Sequence, residues 1–427
     1  MSPTFRRSAP SALLHRLPRH GAVAAHAALV LAGCTPGDGS EAGVLVRDSA
    51  GVTIVENLAL ASTLLPTSPG PLLEIGVVDG APEYQFGSVT GAARLSDGSI
   101  AVADGMARQV HWYGPDGAHA LSFGQEGRGP EDFGYPASLF ALPGDTVVVQ
   151  DRMDRVWLDP GGRFVRRHSL DRERWSALWR PNFSEGFTWL PDGQLFAPVY
   201  VRSERDAAGQ RPSPGPPFRP EMILVRVRGD LSSADTLGRF GGIQQQFVEV
   251  GGRPGVMPMV PPHSVNTSFD VGGDGTVAVG DSQHPQVHLF GPDGTHRIVR
   301  WGAEPEPLTG AEVEAWKERR RGESWAADQL PLLERGWAGM EVPTHKARFQ
   351  RVDVARDGAL WVALGDYASD PARWLVFDAR GRHRGVVSLP GPFRFHDAGA
   401  GYLLGVYRDA NDVEFVRLYG LDEGASG

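Results

Sequence analysis

Short runs in which apolar and polar residues alternate recur along the chain, and each run is interrupted by a tight turn of the Asp-Gly type. Six segments share this arrangement. They are 93–104, 140–151, 188–199, 269–281, 352–364 and, in a degraded form, 395–407. Asp-Gly between β-prone runs indicates a hairpin, because the turn needs positive φ and glycine adopts it without strain. The pattern therefore predicts six hairpins of similar build.

A second hairpin follows most of these segments. Residues 109–124 and 286–302 are near-duplicates with the same Gly-Pro-Asp-Gly turn, and residues 155–170 and 373–389 are looser versions. Each unit thus has four short antiparallel strands, which is the build of a propeller blade. The fold class predicted is all-β, a six-bladed β-propeller of four-stranded antiparallel blades.

The glycine-rich stretch 122–136 raises the alternative of a phosphate-binding loop. A phosphate cradle opens a helix, whereas a strand follows here. Residues 123–131 also align without a gap with residues 75–83, and both lie between an outermost strand and the next innermost one. We interpret both as connectors from the rim of one blade to the centre of the next, which glycine and proline suit.

The last unit ends after three strands near 414–421, and a strand-like segment at 71–76 precedes the first complete unit. We expect this N-terminal strand to supply the fourth strand of the last blade. Closing the ring in this way covers sheet edges that would otherwise template aggregation. The segment 44–57 has the pattern of a small hairpin.

Three insertions interrupt the ring, at 202–220, 242–265 and 302–347. The first is rich in proline and charge, so we expect a mobile surface loop, with a partner contact as the alternative. The second either packs over the end of the ring or lines a ligand site. Its apolar residues are Phe247, Val256, Met257, Met259 and Val260.

The third insertion is predicted to be helical. Thr309 and Glu312 fit a capping box at the start of a helix over 308–321. A second short helix is expected around 324–337, broken or started by Pro331. Such a helical flap either covers the ends of the blades or acts as a lid.

The first 34 residues differ from the rest of the chain. Four arginines precede an apolar run at 21–31, which is too short to cross a hydrocarbon core of roughly 30 Å and indicates a signal peptide. Leu31-Ala32-Gly33-Cys34 then resembles the lipobox of bacterial lipoproteins. The resemblance implies cleavage after Gly33 and lipidation of Cys34; an ordinary secretory signal is the alternative. Because Thr35 follows and no retention-type aspartate does, the resemblance also implies the outer membrane.

The predicted organisation is a signal peptide over 1–33, a tether over 34–68, the propeller over 69–422 and a tail over 423–427. The formal charge is −9, and without the first 34 residues 38 basic residues face 51 acidic ones. Such an acidic chain repels nucleic acid, which we exclude as a partner. The single cysteine excludes an intramolecular disulfide.

The segments "RDSAGVTIVEN", "DGSIAVADG" and "FGQEGRGPEDF" resemble the NHL-type six-bladed β-propellers, and specifically the six-bladed β-propeller lipoproteins of bacteria. The resemblance covers about residues 44–421. It implies the fold and a lipid-anchored place in the bacterial cell envelope, but its motifs say little about activity. The Gly-His and Trp-Asp marks of WD40 repeats are missing.

Three histidines and three aspartates are candidate site residues at the channel mouth. His263 and His345 lie just before an innermost strand and His396 lies within one, so all three can reach the axial channel. The NHL-type amidating lyase holds zinc with channel histidines, which makes zinc an alternative here, although no local ligand spacing supports it.

Asp104, Asp151 and Asp281 each end the second strand of a unit. In lactonase-type propellers, which they resemble, channel carboxylates bind calcium or transfer protons. We favour a structural role, in which each carboxylate caps the following turn through hydrogen bonds to the backbone.

No strong catalytic motif is present, such as Gly-x-Ser-x-Gly or His-Glu-x-x-His. The leading hypothesis is a monomeric, envelope-anchored binding module that presents its loops and channel mouth to a protein, peptide or glycan. No cofactor is predicted. The alternative is a hydrolase or lyase, a metal-dependent lactonase- or lyase-like enzyme with Ca²⁺ or Zn²⁺ at the central channel. A structural envelope protein without a small ligand is a third possibility, because fold alone assigns no function.

Overall fold

In the computed structural model the alternating segments fold into six sheets arranged as blades A to F. The structure describes residues 43–60, 62–179, 182, 186–201, 212–252, 255–323, 329–366 and 370–422, so the predicted signal peptide and Cys34 lie outside the described residues. The described residues belong to one compact unit, Ser40–Gly427. None of the described helices is long and apolar enough to cross a bilayer.

The N-terminal strands and the first three blades follow one another along the chain, with each blade running outwards from its inner strand. The N-terminal strands are β1 (Val44–Ser49), β2 (Val52–Asn57) and β3 (Leu73–Ile75). Blade A has β4 (Val89–Arg94), β5 (Ile100–Asp104), β6 (Gln109–Tyr113) and β7 (His119–Phe123). Blade B has β8 (Pro136–Ala141), β9 (Val147–Asp151), β10 (Asp154–Leu158) and β11 (Phe164–Ser169). Helix α1 (Arg172–Leu178) precedes blade C, which has β12 (Thr188–Trp189), β13 (Leu195–Tyr200), β14 (Glu221–Val227) and β15 (Ala234–Gly241).

The second half of the chain adds three blades and the inserted elements. The hairpin β16 (Gln246–Gly251) and β17 (Gly255–Met259) precedes blade D, which has β18 (Thr267–Val271), β19 (Val277–Asp281), β20 (Gln286–Phe290) and β21 (His296–Trp301). Helices α2 (Gly310–Gly322) and α3 (Leu330–Gly339) follow. Blade E has β22 (Arg351–Val354), β23 (Leu360–Leu364), β24 (Arg373–Phe377) and β25 (His383–Ser388), and blade F has β26 (Arg394–Gly399), β27 (Tyr402–Arg408) and β28 (Glu414–Gly420).

The fourth strand of blade F comes from the other end of the chain, as the sequence predicted. Strand β3 pairs antiparallel with β28, with Leu73 opposite Leu418 and Ile75 opposite Val416. The ion pair between Arg417 and Glu74, at 2.6 Å, crosses the same junction. The prediction of a six-bladed, four-stranded all-β propeller is therefore confirmed.

The hydrophobic core lies between the faces of neighbouring blades. Between blades E and F, for example, Trp361, Trp374 and Phe395 are packed together and almost fully buried. Similar apolar clusters lie between blades A and B, C and D, D and E, and F and A. Burial of these side chains on both faces of each sheet is the main force that holds the ring together.

The glycine-rich stretch is a connector and not the start of a helix, as expected. It runs from the end of β7 to the start of β8. Gly124 has φ of +91°, and a Cβ atom at this position would lie 2.4 Å from the buried Phe133 ring. Only glycine satisfies both the backbone conformation and the close contact.

The predicted hairpin at 44–57 is present, but it is also part of blade D, which the sequence did not indicate. Strand β2 pairs in parallel with β21, so that blade D has six strands. The chain then continues along the rim: Leu65 N–H donates to Val386 O of blade E, and Ser68 N–H donates to Gly420 O of blade F. We call residues 43–60 and 62–75 the belt, because they cover the outer edges of blades D, E and F.

Asn57 fastens the belt where blades D and E meet. Its side chain is 2% exposed. Nδ2 donates to Arg300 O (3.1 Å) and Gly381 O (3.0 Å), and Oδ1 accepts from His383 N–H (2.8 Å). One amide therefore links β2 to the outer strand of its own blade and to the outer hairpin of the next.

The two helices predicted in the third insertion are present. Helix α2 begins with the Thr309–Glu312 capping box, and Pro331 lies in the first turn of α3. Residues 324–328, where the second helix was expected to start, lie outside the described residues. Helix α1, capped by Asp171, was not predicted; it lies between blades B and C.

We predict that Asn57→Ala lowers the free energy of unfolding by about 1–3 kcal/mol, because it leaves buried backbone groups without partners. Urea unfolding followed by tryptophan fluorescence measures the effect. Asn411→Ala, at an exposed turn between β27 and β28, is the matched control and should change the stability little. Equal stability of the two variants would show that the belt is not fastened at Asn57.

Candidate functional site

The inner strands of all six blades surround an axial cavity of about 220 Å³. The cavity lies at the face of the propeller where the inner strands end, and we call this the lower face. The opposite face, where the inner strands begin, is the upper face. The wall of the cavity is both aromatic and charged. The lining residues include Phe140, Trp189, Asp270, Arg356, His396 and Asp397. Such a cavity can hold a small ligand or a single side chain of a partner.

Three aspartates occupy matching positions near the ends of the inner strands. Asp270 lies opposite Ala278, Asp353 opposite Trp361 and Asp397 opposite Leu404, each one or two pairs before the turn. These three aspartates were not predicted from the sequence, because only the aspartates that end the second strands were considered. The signal was available: an aspartate precedes the turn in the repeats at 269–281, 352–364 and 395–407.

Two of these carboxylates link the inner strands of neighbouring blades. Asp270 Oδ2 accepts from Val354 N–H at 2.7 Å, which joins blades D and E. Asp397 Oδ2 accepts from Arg94 N–H at 3.0 Å, which joins blades F and A. Each interaction satisfies a backbone donor beside the axis.

Asp353 and Asp397 each form an ion pair with an arginine, whereas Asp270 forms none within the described part of the chain. Burial and the neighbouring carboxylate of Asp353 raise the pKa of Asp270 to about 7. Asp353 is held by Arg351 at 3.2 Å, and burial raises its pKa as well. At neutral pH Asp270 is therefore poised between its protonated and charged forms, which suits proton transfer or the binding of a cation.

Asp397 belongs to a fully bonded charge network. Arg356 Nη2 lies 2.9 Å from Oδ2 of Asp397, and the Tyr402 hydroxyl donates to the same oxygen at 3.0 Å. Burial raises the pKa of Asp397, and burial together with this carboxylate raises the pKa of Tyr402. The guanidinium of Arg94 stacks over the Tyr402 ring at 4.9 Å. On this side of the cavity the carboxylate of Asp397 is thus paired with a guanidinium and a hydroxyl.

His396 lines the cavity, as the sequence suggested. Burial and the nearby Arg394 and Arg351 lower its pKa to about 3, so the imidazole is neutral at neutral pH. His396 Nε2 and Arg351 Nη2 have no hydrogen-bond partner among the described residues. Buried polar groups are ordinarily hydrogen-bonded, so Nε2 of His396, which lines the cavity, is available to a ligand.

The other two candidate histidines do not join His396. His263 has φ of +51°, and its backbone N–H donates to Asp366 Oδ1 at 3.3 Å. Burial lowers the pKa of the His263 imidazole, and the negative charge of Asp366 opposes this shift. His345 is exposed; its Nδ1 lies 2.9 Å from the Thr344 hydroxyl, and its backbone forms a β-bridge with Pro307. Their strands start at the upper face, whereas His396 lies on the lower-face cavity, so depth along the axis separates them.

Asp104, Asp151 and Asp281 bond to connectors and turns and do not line the cavity. Asp104 accepts from the N–H groups of Gly87 and Ser88 before β4, and from Met106 and Ala107 after β5. Asp151 accepts from Gly134 and Tyr135 N–H and pairs with Arg167 at 2.9 Å. Asp281 accepts from Gln283 N–H and pairs with Arg219 at 3.0 Å.

These bonds give the three carboxylates a structural use, since they tie a second strand to the turn or connector beside it. Within the described residues, no group of three or more His, Cys, Asp or Glu side chains is arranged to hold a metal ion.

The second and third insertions form one cap at the upper face, because both leave an outer strand that ends there. The hairpin β16–β17 packs against α2 and α3 around an apolar core of its own, which includes Val248, Met259, Trp316, Leu333 and Trp337. Met259 contacts Gly336 so closely that a Cβ atom there would lie 2.7 Å from its sulfur.

The cap is attached to blade E and to the first insertion. Arg319 of α2 lies 3.8 Å from Asp366, the residue that also accepts from His263. Phe218 stacks on Phe247 of β16 with ring centroids 5.5 Å apart. Residues 202–211 lie outside the described residues, so the predicted mobility of that loop stays a prediction.

Comparison with known proteins adds likenesses of fold. No family model and no curated protein sequence matches this chain. A candidate exported protein from Bacteroides fragilis has a TM-score of 0.42 at 10% identity, covering 86% of this chain and 99% of its own. A gluconolactonase from Xanthomonas campestris has a TM-score of 0.37 at 14% identity (85% and 100% covered). A luciferin-regenerating enzyme has a TM-score of 0.39 at 11% identity (84% and 96% covered).

Likeness at this level says nothing about activity. The class of the protein is defined by its own sheets: a six-bladed β-propeller, closed by its N-terminal strand. Its distinctive features are a charged cavity at the lower face and a two-part cap at the upper face.

We predict that Asp270→Asn gains stability relative to the parent protein as pH rises from 4 to 7. The folded pKa of about 7 lies above the ordinary value of 3.8, so the folded state keeps a proton that the unfolded chain loses in this window. The parent therefore loses stability as pH rises, by up to about 1.4 kcal/mol per pKa unit, and the variant does not.

Urea unfolding at a series of pH values measures this difference. Asp79→Asn, at an exposed position, is the control and should follow the parent curve. Parallel curves for the parent and Asp270→Asn would contradict the assignment of Asp270 as the unpaired carboxyl.

Proposed function

We propose that the protein is an exported, lipid-anchored β-propeller that binds a protein, peptide or glycan partner in the cell envelope through the cap on its upper face. The observation that carries the proposal is the cap itself. Two insertions separated in sequence by the whole of blade D build a second apolar core, which the ring does not need for closure. An elaborated loop cluster on a rigid scaffold is the usual form of a binding surface.

The outer surface of the cap carries exposed apolar side chains. Phe218 is 38% exposed on top of Phe247, and Val342 after α3 is 39% exposed. The cap also exposes charged side chains, such as Arg319 and Glu334. Surfaces that bind another macromolecule combine exposed apolar and charged side chains.

Lipid anchoring is supported by the first 34 residues. The basic segment, the short apolar run and Leu31-Ala32-Gly33-Cys34 have the order and lengths of a lipoprotein signal. Acyl chains on Cys34 add membrane affinity of about 0.8 kcal/mol per buried CH₂.

A second candidate function is a hydrolase or lyase at the lower-face cavity. The observation that favours it is Asp270, whose pKa is raised to about 7 beside the neutral His396 and the unpartnered Arg351 Nη2. A carboxyl with this pKa can both take up and give back a proton at neutral pH.

We predict that a photo-crosslinking amino acid at position 218 or 342 forms adducts with an envelope component in living cells. The same amino acid at Met106, which is 72% exposed on blade A, is the control and should form none. Phe218→Asp with Val342→Asp should reduce partner retention at least about tenfold, because the apolar contacts become charged.

Asp270→Asn separates the two functions. If the protein is a binding module, Asp270→Asn should still form the crosslinked adducts at positions 218 and 342 and should keep its biological role. If it instead abolishes turnover of a sugar lactone or an aryl ester while the cap variants leave turnover intact, the enzyme assignment replaces the binding one.

We predict that Cys34→Ser moves the protein from the membrane fraction to the soluble fraction of the envelope. Mass spectrometry of the N-terminal peptide of the parent should show acylated Cys34 as its first residue. A parent peptide with a free thiol, or cleavage elsewhere, would contradict the anchor and leave an ordinary secretory signal.

A further inference from the structure

Exposed apolar residues are concentrated in the belt and just beyond it. Twelve large apolar side chains are exposed among the described residues, and six of them lie between positions 45 and 78. They are Leu45, Val46, Leu58, Leu64, Leu72 and Val78. Scattered exposed apolar residues are normal, but half of them in one short segment indicate a contact surface.

Three of these residues lie together at the open end of the β1–β2 hairpin. Leu45 pairs with Glu56 and Val46 with Val55, while Leu58 N–H donates to Gly43 O across the same end. Successive side chains along a strand point to opposite faces, so Leu45 and Leu58 lie on one face of the hairpin and Val46 on the other. The open end of the hairpin therefore exposes apolar side chains on both of its faces. Leu45, Val46 and Leu58 are 47%, 48% and 66% exposed, and we call them the hairpin patch.

The hairpin patch is also where the chain arrives from Cys34. Nine residues, 35–43, separate Cys34 from the first residue of β1. Even fully extended, such a segment spans only about 30–35 Å. An acyl chain on Cys34 therefore keeps this end of the hairpin close to the bilayer surface.

We propose that the hairpin patch contacts the lipid bilayer and, together with acylated Cys34, fixes the orientation of the propeller. The proposal rests on the lipid anchor proposed above. Strand β2 runs parallel to β21 and ends beside Gly302 at the upper face, so the contact involves the upper rim of blade D. The lower-face cavity then points away from the membrane.

The test uses full-length acylated protein in vesicles of phosphatidylethanolamine and phosphatidylglycerol that carry a nitroxide-labelled lipid. Val46→Cys and Leu58→Cys each receive a fluorescent probe, since the thiol of Cys34 is blocked by its acyl chain. Val165→Cys is the matched control, because Val165 is 55% exposed on the outer strand of blade B. We expect strong quenching of the probes at 46 and 58 and background quenching at 165; equal quenching at all three positions overturns the proposal.

Two further outcomes are distinguishable. If the probes at 46 and 58 are already shielded without vesicles, and sedimentation gives twice the monomer mass, the patch binds a second copy and the proposal is wrong. If mass spectrometry finds no acyl chain on Cys34, the anchor fails separately.

The patch is then tested in a Cys34→Ser background. Vesicle partitioning of that protein should fall about tenfold when Leu45, Val46 and Leu58 are all replaced by serine, because their burial in lipid is lost. No change in partitioning overturns the membrane contact on its own.

Discussion

The last blade has only three strands from its own part of the chain, and the ring must still be closed. The pairing of β3 with β28 meets both needs, because it completes the last blade with a strand from the other end of the chain. Closure brings blade F against blade A, where Val89 N–H donates to Glu414 and Arg94 N–H donates to Asp397. The wall of the cavity between Asp397 and Ala93 therefore exists only in the closed ring.

The same type of residue serves three purposes, and its partners decide which. Asp104 accepts four backbone N–H groups and fixes a connector. Asp397 is bonded to an arginine, a tyrosine and a backbone N–H, so it joins two blades with its charge matched. Asp270 accepts from a backbone N–H, and burial with the nearby Asp353 raises its pKa to about 7, so both of its protonation states are populated near neutral pH.

Most of the fold could be predicted from the repeat pattern, because turns and alternating strands are local features of the sequence. Blade number, the connector at Ser122–Pro136 and closure by residues 71–76 all follow from the order of such segments. The joining of β2 to β21 could not be predicted, since parallel pairing between distant segments leaves no local pattern. Helix α1 was missed because its seven residues lie within a long interval between blades.

The site was harder to predict than the fold. Position in a repeat tells which residues are equivalent, but not how deep they lie along the axis. His263, His345 and His396 all belong to inner strands or their approaches, yet only His396 lines the cavity. The same holds for the cap. The capping box at Thr309 could be predicted from the sequence, whereas the packing of Trp316 and Trp337 against β16 and β17 could not, because it depends on contact between two separate insertions.

The belt also sets the order in which the molecule can be assembled. It is synthesised before the blades, but its partners are synthesised late in the chain. Asn57 can bond to Gly381, and Leu73 can pair with Leu418, only after blades E and F have been made. Contacts over so many residues are slow to form, because a long loop must close before they are gained. When the chain is delivered from its N-terminus, the belt strands therefore stay unpaired until blade F emerges. A factor that binds residues 44–75 during this time would determine what fraction of the protein folds into the native ring.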